Sequence, residues 1–294
     1  MPRSDSATTP ELLVIGASGR VGRLLSSHWA AAGAPVCLQT RAARLRAALP
    51  FMRWSPLDEG AAALRAYVRS AGTPRAMVMF AGVTPSSGDD ASMTLNGRLA
   101  AACLQAADEA GIGRVLLASS AAVYGLGRAA PWREDEAPAV APSAYGAAKR
   151  AMEAAASEWR QRGLSVCCMR IGNVAGADAL LLNAPGPLAI DRFPNGGGPV
   201  RSYIGPMSLT RVIETLAELP DLPPVLNVAA PAPMAMVELA RATGFAWHWQ
   251  KAPPDAVERL TLDCRALCRV VHFAPRESTA AEMVAQWRAC TEAG

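Results

Sequence analysis

Short apolar runs recur along the chain, each followed by a stretch whose apolar residues fall three and four apart. Leu12–Ile15, Val36–Gln39, Met52–Trp54, Ala76–Phe80, Val115–Ser119, Val166–Ile171 and Val225–Val228 read as strands buried on both faces. Between them, Val21–Ala32, Ala61–Ala71, Ser92–Ala110 and the alanine-rich Tyr145–Gln161 read as helices, with Gly33 and Gly111 closing the first and third. Pro231–Gly244 and Thr279–Thr291 read as two more helices, and Trp247 and Trp249 flank His248 in a strand with one aromatic face that packs on its own lobe. Strand and helix in regular alternation predict an α/β fold, a parallel sheet covered on both faces with right-handed crossovers. In such a sheet ligands bind beyond the carboxyl ends of the strands. Gly16, Arg41, Ala81 and Ser120 all fall at such ends.

Composition narrows the partners. With 51% hydrophobic and 18% charged residues among 294, the chain reads as globular, long enough for one large domain or two modest ones. The net charge of +4 comes from scattered arginines with few aromatics beside them, which argues against nucleic acid. Arg, Asp, Pro or Gly interrupts every apolar stretch before the ~18 residues a membrane span needs, and residues 1–10 lack the apolar segment of a signal peptide. The seven cysteines are odd in number and mostly sit in apolar patterns, so a reducing, cytoplasmic setting is expected. Cys264 and Cys268 share a helical face without a histidine at metal-ligand spacing, and no metal site is expected.

The candidate chemistry lies at the strand ends. Gly16-Ala17-Ser18-Gly19-Arg20-Val21-Gly22 joins the first strand to the first helix. Glycines there let backbone approach a pyrophosphate, and the helix N-terminus offers free N–H groups and a positive dipole end. The second strand ends in Thr40-Arg41, with Arg44 a turn later, where an acidic residue would accept from the 2′-hydroxyl of NAD. A guanidinium pairs instead with a 2′-phosphate, so NADP(H) is favoured and NAD(H) is the alternative. Asp58 is a candidate adenine-side contact, and Ala81-Gly82-Val83-Thr84 a small-residue passage for the cofactor, with Thr84 toward the substrate. Ser120 ends the strand VLLASS, where its hydroxyl can hold a substrate oxygen. Tyr145 and Lys149, four apart on a helix, leave the same face, and an ammonium beside a phenol favours the phenolate and lowers the tyrosine pKa.

In this order the motifs resemble the extended short-chain dehydrogenase/reductases, the epimerase/dehydratase group. The matching residues are Gly16-x-x-Gly19-x-x-Gly22, Ala81-Gly82, Asn96-Gly97, Ser119-Ser120-Ala-Ala-Val-Tyr124-Gly125, Tyr145-x-x-x-Lys149, Arg170-Ile-Gly-Asn173-Val-Ala-Gly176, Arg201-Ser-Tyr-Ile and Leu226-Asn227-Val228. The resemblance implies a Rossmann-type doubly wound parallel sheet, residues 11–171, completed by a strand near 225–228. Residues 172–294 would then be mainly a small substrate lobe interleaved with it. It implies Tyr145 as general acid/base, Ser120 as the group orienting the substrate oxygen, and Lys149 on the nicotinamide ribose. Asn96 would support a proton-relay water, while Asn173 and Arg201 would hold the phosphates of a nucleotide sugar, with Ala121 beside them.

The departures shape the expected activity. Ala121 and Ala122 follow Ser120 where dehydratase members carry an acidic pair, so elimination of water is disfavoured. Gly205-Pro206-Met207-Ser208 replaces the usual histidine and aspartate after Arg201-Ser-Tyr-Ile204, altering the wall of the substrate site. The expected activity is hydride transfer at a carbonyl or alcohol carbon of a small molecule, an NADP(H)-dependent reductase first and a nucleotide-sugar epimerase with bound NAD second. A cofactor-sensing protein without catalysis leaves Ser120, Tyr145 and Lys149 unexplained. The turn-rich Pro185-Gly186-Pro187 and Asn195–Pro199 are candidate closing loops, and Arg192 is a further candidate for a diphosphate. Alanine-rich faces on Ser92–Ala110 and Tyr145–Gln161 point to a homodimer.

Overall fold

The computed structural model describes residues 9–41, 48–85, 88–125, 127–136, 143–183 and 186–292; Arg44 and Pro185 fall outside them. Strands β1 (Leu12–Ile15), β2 (Val36–Thr40), β3 (Phe51–Arg53), β4 (Ala76–Met79), β5 (Arg114–Ser120) and β6 (Ser165–Ile171) form one sheet with the strand Val225–Val228. Its order is Val225–Val228, β6, β5, β4, β1, β2, β3, and every pairing is parallel. The order reverses between β1 and β4, and that reversal opens the crevice where such sheets bind ligands.

Side-chain alternation along β1 shows how one strand serves two cores. Leu12 and Val14 join Leu25, Trp29, Val212 and Ile213 on the face covered by α1 (Arg20–Ala31) and, later in the chain, the helix Pro206–Glu218. Leu13 and Ile15 join Leu64, Leu104 and Met152 on the opposite face, under α2 (Pro56–Ala71), α3 (Leu95–Glu109) and α4 (Ala144–Gln161). A strand buried on both sides has no polar face, so it reads as a continuous apolar run.

A smaller lobe has its own core around Leu188, Ile190, Tyr203, Leu239 and Met283. Strands Leu188–Arg192 and Trp247–Lys251 pair in parallel on its surface, and Trp247 and Trp249 meet edge to face with each other and pack against that core. Pro231–Gly244 does not begin as a helix. Met234–Ala235 first pairs with Val200–Arg201, and the helix runs over Met236–Thr243. Pro231 and Pro233 account for the late start, since proline removes an N–H and drives the residue before it toward extended backbone. The second helix instead starts earlier than its apolar pattern, at Pro56, because Asp58 and Glu59 suit the first turn and Gly60 (φ +56°) absorbs a break. Among the described residues no helix is long and apolar enough to cross a membrane.

A buried polar chain fastens the carboxyl ends of β5, β6 and Val225–Val228 together. Arg170 on β6 donates to Glu153 on α4 at 2.8 and 3.1 Å, and to the Tyr124 hydroxyl at 3.0 Å. Tyr124 donates in turn to the Asn227 side chain at 2.7 Å, and Asn227 donates to the carbonyls of Trp132 and Asp263. The backbone N–H of Asn227, on the sheet's edge strand, goes to the Glu134 carboxylate at 2.9 Å. These motif residues therefore hold the framework and do not touch the cleft themselves. Replacing Arg170 by Met leaves Glu153 buried without its cation and is expected to cost about 3–5 kcal/mol. Urea unfolding measures it, and a loss under about 1 kcal/mol would mean that the ion pair contributes no more than a surface pair does.

Candidate active site

The glycine loop is shaped by backbone contact. Gly16 takes φ +83°, and a Cβ there would lie 2.5 Å from the Ala81 nitrogen; one on Gly22 would lie 2.5 Å from the Gly16 carbonyl oxygen. The loop and the Ala81 segment thus press together with no room for a side chain. From below, the Gly16 N–H donates to Gln39 Oε1 at 2.9 Å, and Gln39 donates to the Trp54 carbonyl. Gly19 is the N-cap of α1 and, among the described residues, no side chain caps that helix. Its first-turn amides are open, with Arg20 and Arg23 beside them on the cleft wall. This is an anion cradle of the kind a pyrophosphate requires, and the residues fit a dinucleotide.

The cleft encloses about 520 Å³ along the carboxyl edge of the sheet. Gly19, Arg20, Val21 and Gly22 line one end, while Gly82, Thr84, Ser120, Tyr145, Lys149 and Asn173 line the other. Ten of the residues expected from sequence thus share one cavity. Gly16 and Ala81 stand behind it as the scaffold just described, and Ser18 is exposed in the turn. A side pocket of about 160 Å³ shares Ser120 and Asn173 with the cleft and adds Ala121, Ser202, Leu260 and Arg201.

At the reacting end, three turns of α4 meet three residues of β5. The hydroxyls of Ser120 and Tyr145 are hydrogen-bonded, and Ser120 Oγ also accepts the Ala122 N–H at 3.1 Å. Lys149 is buried and donates to the Ala118 carbonyl at 2.6 Å, with Nζ 5.7 Å from the centre of the Tyr145 ring. Burial lowers Lys149 to about 8, opposed by the neighbouring Cys168 and Glu153. Burial also raises the Tyr145 phenol above its ordinary value, and the Ser120 hydrogen bond opposes that rise. The expected lowering of the tyrosine by the lysine is therefore corrected: desolvation dominates the Tyr145 shift, and the Lys149 ammonium is directed at the Ala118 carbonyl. At neutral pH Tyr145 is a phenol, poised to give a proton.

Four other expected residues do not line the cleft. Asp58 sits in the first turn of α2, accepts from the Ser55 hydroxyl and does not line the cleft. The Asn96 amide is closed at both ends by Val83, accepting its N–H at 2.8 Å and donating to its carbonyl at 3.0 Å. These two bonds brace the turn after β4. Thr40 is buried, and Arg41 follows it exposed at the end of β2.

Arg201 keeps its place in the side pocket, but its guanidinium donates to the carbonyls of Val200, Val257 and Glu258. Among the described residues no carboxylate pairs with it, and burial lowers its pKa. Ser208, in the segment expected to alter the substrate wall, is buried against Glu277 and Gln286. Arg23, Phe80 and Asp178 line the cleft without having been anticipated. Arg23 alone had a sequence signal, one turn after Arg20. Among the described residues no group of metal-ligating side chains forms.

An extended short-chain dehydrogenase/reductase is the class that this sheet and this serine–tyrosine–lysine site define. Residues 12–192 match the NAD dependent epimerase/dehydratase family, and the chain belongs to it. It is 35% identical over 191 residues to a UDP-glucose 4-epimerase of Azospirillum brasilense, covering 59% of this chain and 52% of that protein. The chain thus spans about half the length of this curated relative. A UDP-glucose-4-epimerase from Stenotrophomonas maltophila with bound NAD and formylated UDP-arabinopyranose superposes with a TM-score of 0.76 at 17% identity, over 97% of this chain and all (100%) of the other. One from Brucella ovis in complex with NAD gives 0.75 at 18% identity, over 94% and 96% of the two chains. Likeness at that identity shows the shared fold.

Proposed function

We propose that the chain is a nicotinamide-dependent oxidoreductase that moves a hydride to or from a carbon bearing oxygen, with Tyr145 carrying the proton. The observation that carries this reading is the Ser120–Tyr145 hydroxyl contact above buried Lys149, at the inner end of a glycine-lined cleft. A bound nicotinamide supplies or accepts the hydride. Gly19–Gly22 and the open end of α1 would hold its pyrophosphate, and Lys149 the ribose hydroxyls next to the ring. Ser120 orients the substrate oxygen toward Tyr145, whose raised pKa suits donation to a carbonyl as it is reduced. In the oxidative direction the Tyr145 phenol must first lose its proton, a loss that any positive charge held beside it would favour.

The side pocket supports an anionic substrate, because Arg201 is a half-buried cation beside Ser120 and Asn173 that has no carboxylate partner among the described residues. A nucleotide sugar fits that charge and agrees with what the relatives are named for. We assign residues 172–294 mainly to the substrate lobe and read the exposed alanines Ala101, Ala147 and Ala151 on α3 and α4 as a homodimer face. The setting is cytoplasmic in this reading.

For the cofactor, buried Thr40 and exposed Arg41 favour NADP(H), since no carboxylate waits for a 2′-hydroxyl. Titration of cofactor-free protein with NADPH and NADH tests both levels. NADPH is expected to bind at least ~10-fold tighter, and Arg41→Ala to remove the difference, a change of about 1.4 kcal/mol. Tighter NADH binding, or NAD retained through purification, favours the epimerase reading, in which hydride is returned within one turnover. Binding of neither would contradict the proposed function.

A further inference from the structure

Tyr145, Lys149 and Glu153 occupy successive turns on one face of α4. Each meets a different residue at the end of β5: Tyr145 the Ser120 hydroxyl, Lys149 the Ala118 carbonyl, and Glu153 the Ser119 hydroxyl at 2.5 Å. The first two rungs carry the proposed chemistry. The third has no part in it, yet it holds a nearly buried carboxylate, with Glu153 and Arg170 side chains only 11% and 13% exposed.

We propose that Glu153 is a positioning residue for the reacting pair, fixing α4 against β5 and holding the Lys149 ammonium in its charged form inside a buried site. This rests on the reading of Tyr145 and Lys149 as the reacting pair. A buried ammonium that donates to a neutral carbonyl has no counter-ion of its own, and Glu153, one helical turn away, supplies the negative charge. The other groups around Lys149 do not. From β6 come the Cys168 thiol, pushed by burial to about 11 and so neutral, and Arg170, which is paired with Glu153. The turn Ala121–Tyr124 offers only Tyr124, raised to about 12, and the turn Ala91–Thr94 has no titratable side chain. On α3, Asn96 is neutral, Cys103 stands at about 12, and Arg98, Asp108 and Glu109 are exposed. From its own helix Tyr145 is a neutral phenol. Glu153 is then the one negative charge acting on Lys149 among these groups, and it is tied by both Ser119 and Arg170 so that it cannot swing away.

The sequence makes the test clean, because Lys149 and Lys251 are the chain's only two lysines and Lys251 is exposed. Protein labelled with ¹⁵N-lysine is titrated by NMR without cofactor or substrate, Lys251→Arg assigning the signals. Wild-type Lys149 is expected to titrate well below the ordinary lysine range, and Glu153→Gln to move its midpoint down by a further ~1 pH unit. Should Glu153→Gln fail to fold, Glu153→Gln/Arg170→Met replaces the ion pair with a neutral pair of similar volume and is expected to give a smaller downward shift, because the opposing Arg170 charge is removed with it. A folded variant whose Lys149 midpoint stays at the wild-type value overturns the proposal and leaves Glu153 a framework residue. So does a wild-type Lys149 that titrates in the ordinary lysine range. Because no dinucleotide takes part, this result stands apart from whether the chain binds one.

Discussion

Tyr145→Phe is expected to lower turnover by ~10²–10⁴-fold while leaving dinucleotide affinity within a few-fold of wild type. Phenylalanine keeps the ring, so the wall of the cleft and the packing of α4 stay in place. What goes is one hydroxyl, hydrogen-bonded to Ser120 and protonated at neutral pH. Ser120 retains the Ala122 N–H as a partner, so the strand end should not rearrange. A loss confined to kcat would mark the hydroxyl as a group acting in the transition state. Steady-state kinetics beside a binding titration separates the two, and wild-type turnover in the variant would remove Tyr145 from the chemistry.

Gly16→Ala should act on the other end of the cleft and on the fold together. At φ +83° an alanine is strained, and its Cβ would meet the Ala81 nitrogen at 2.5 Å and the Ala81 Cα at 2.7 Å. Both are backbone atoms of the next strand's exit, so neither can step aside without moving β4 away from β1. Strain and overpacking together should cost about 2–5 kcal/mol. Dinucleotide binding should be lost, because the loop that presents the open end of α1 hangs on the Gly16–Gln39 hydrogen bond. Denaturant unfolding and cofactor titration check the two effects. Stability and affinity both near wild type would mean that the loop tolerates a side chain and that its glycines are not set by close approach. Gly33, with φ +63° and open space around it, is the natural comparison, since there only the backbone strain applies.

Much of this site was legible because its residues sit where chain pattern and topology coincide. Leu12–Ile15 and Val225–Val228 occupy the positions their apolar runs mark, since a strand buried on both faces stays mainly apolar, Asn227 being the one polar residue in the two. Once the strands are parallel, Gly19, Ser120 and Asn173 must gather at one edge of the sheet, and they do. What pattern could not supply was environment. The direction of the Tyr145 shift follows from burial, a property of the packed helix and not of the Tyr-x-x-x-Lys spacing. The role of Asn96 toward a water came from analogy, and what the structure adds is that its amide bonds both backbone groups of Val83. Asp58 was read as a candidate adenine-side contact, and its first-turn position with Ser55 gives an acidic residue there a structural reason as well. Tyr124, Arg170 and Asn227 drew notice as motif members, but only the fold reveals that they bind one another. Glu153 escaped notice even though its spacing from Lys149 repeats that of Lys149 from Tyr145.

The account's central claim is that one cleft brings a nicotinamide ring to the Ser120–Tyr145 pair. A crystal structure of the protein with the dinucleotide it binds more tightly tests this most directly. The account predicts the pyrophosphate on the Gly19–Gly22 turn, the ribose hydroxyls on Lys149, and the ring beside Tyr145, leaving space for a substrate carbon ~3–3.5 Å from the hydride-bearing carbon. A dinucleotide bound elsewhere, or one whose nicotinamide points away from Ser120 and Tyr145, would contradict it.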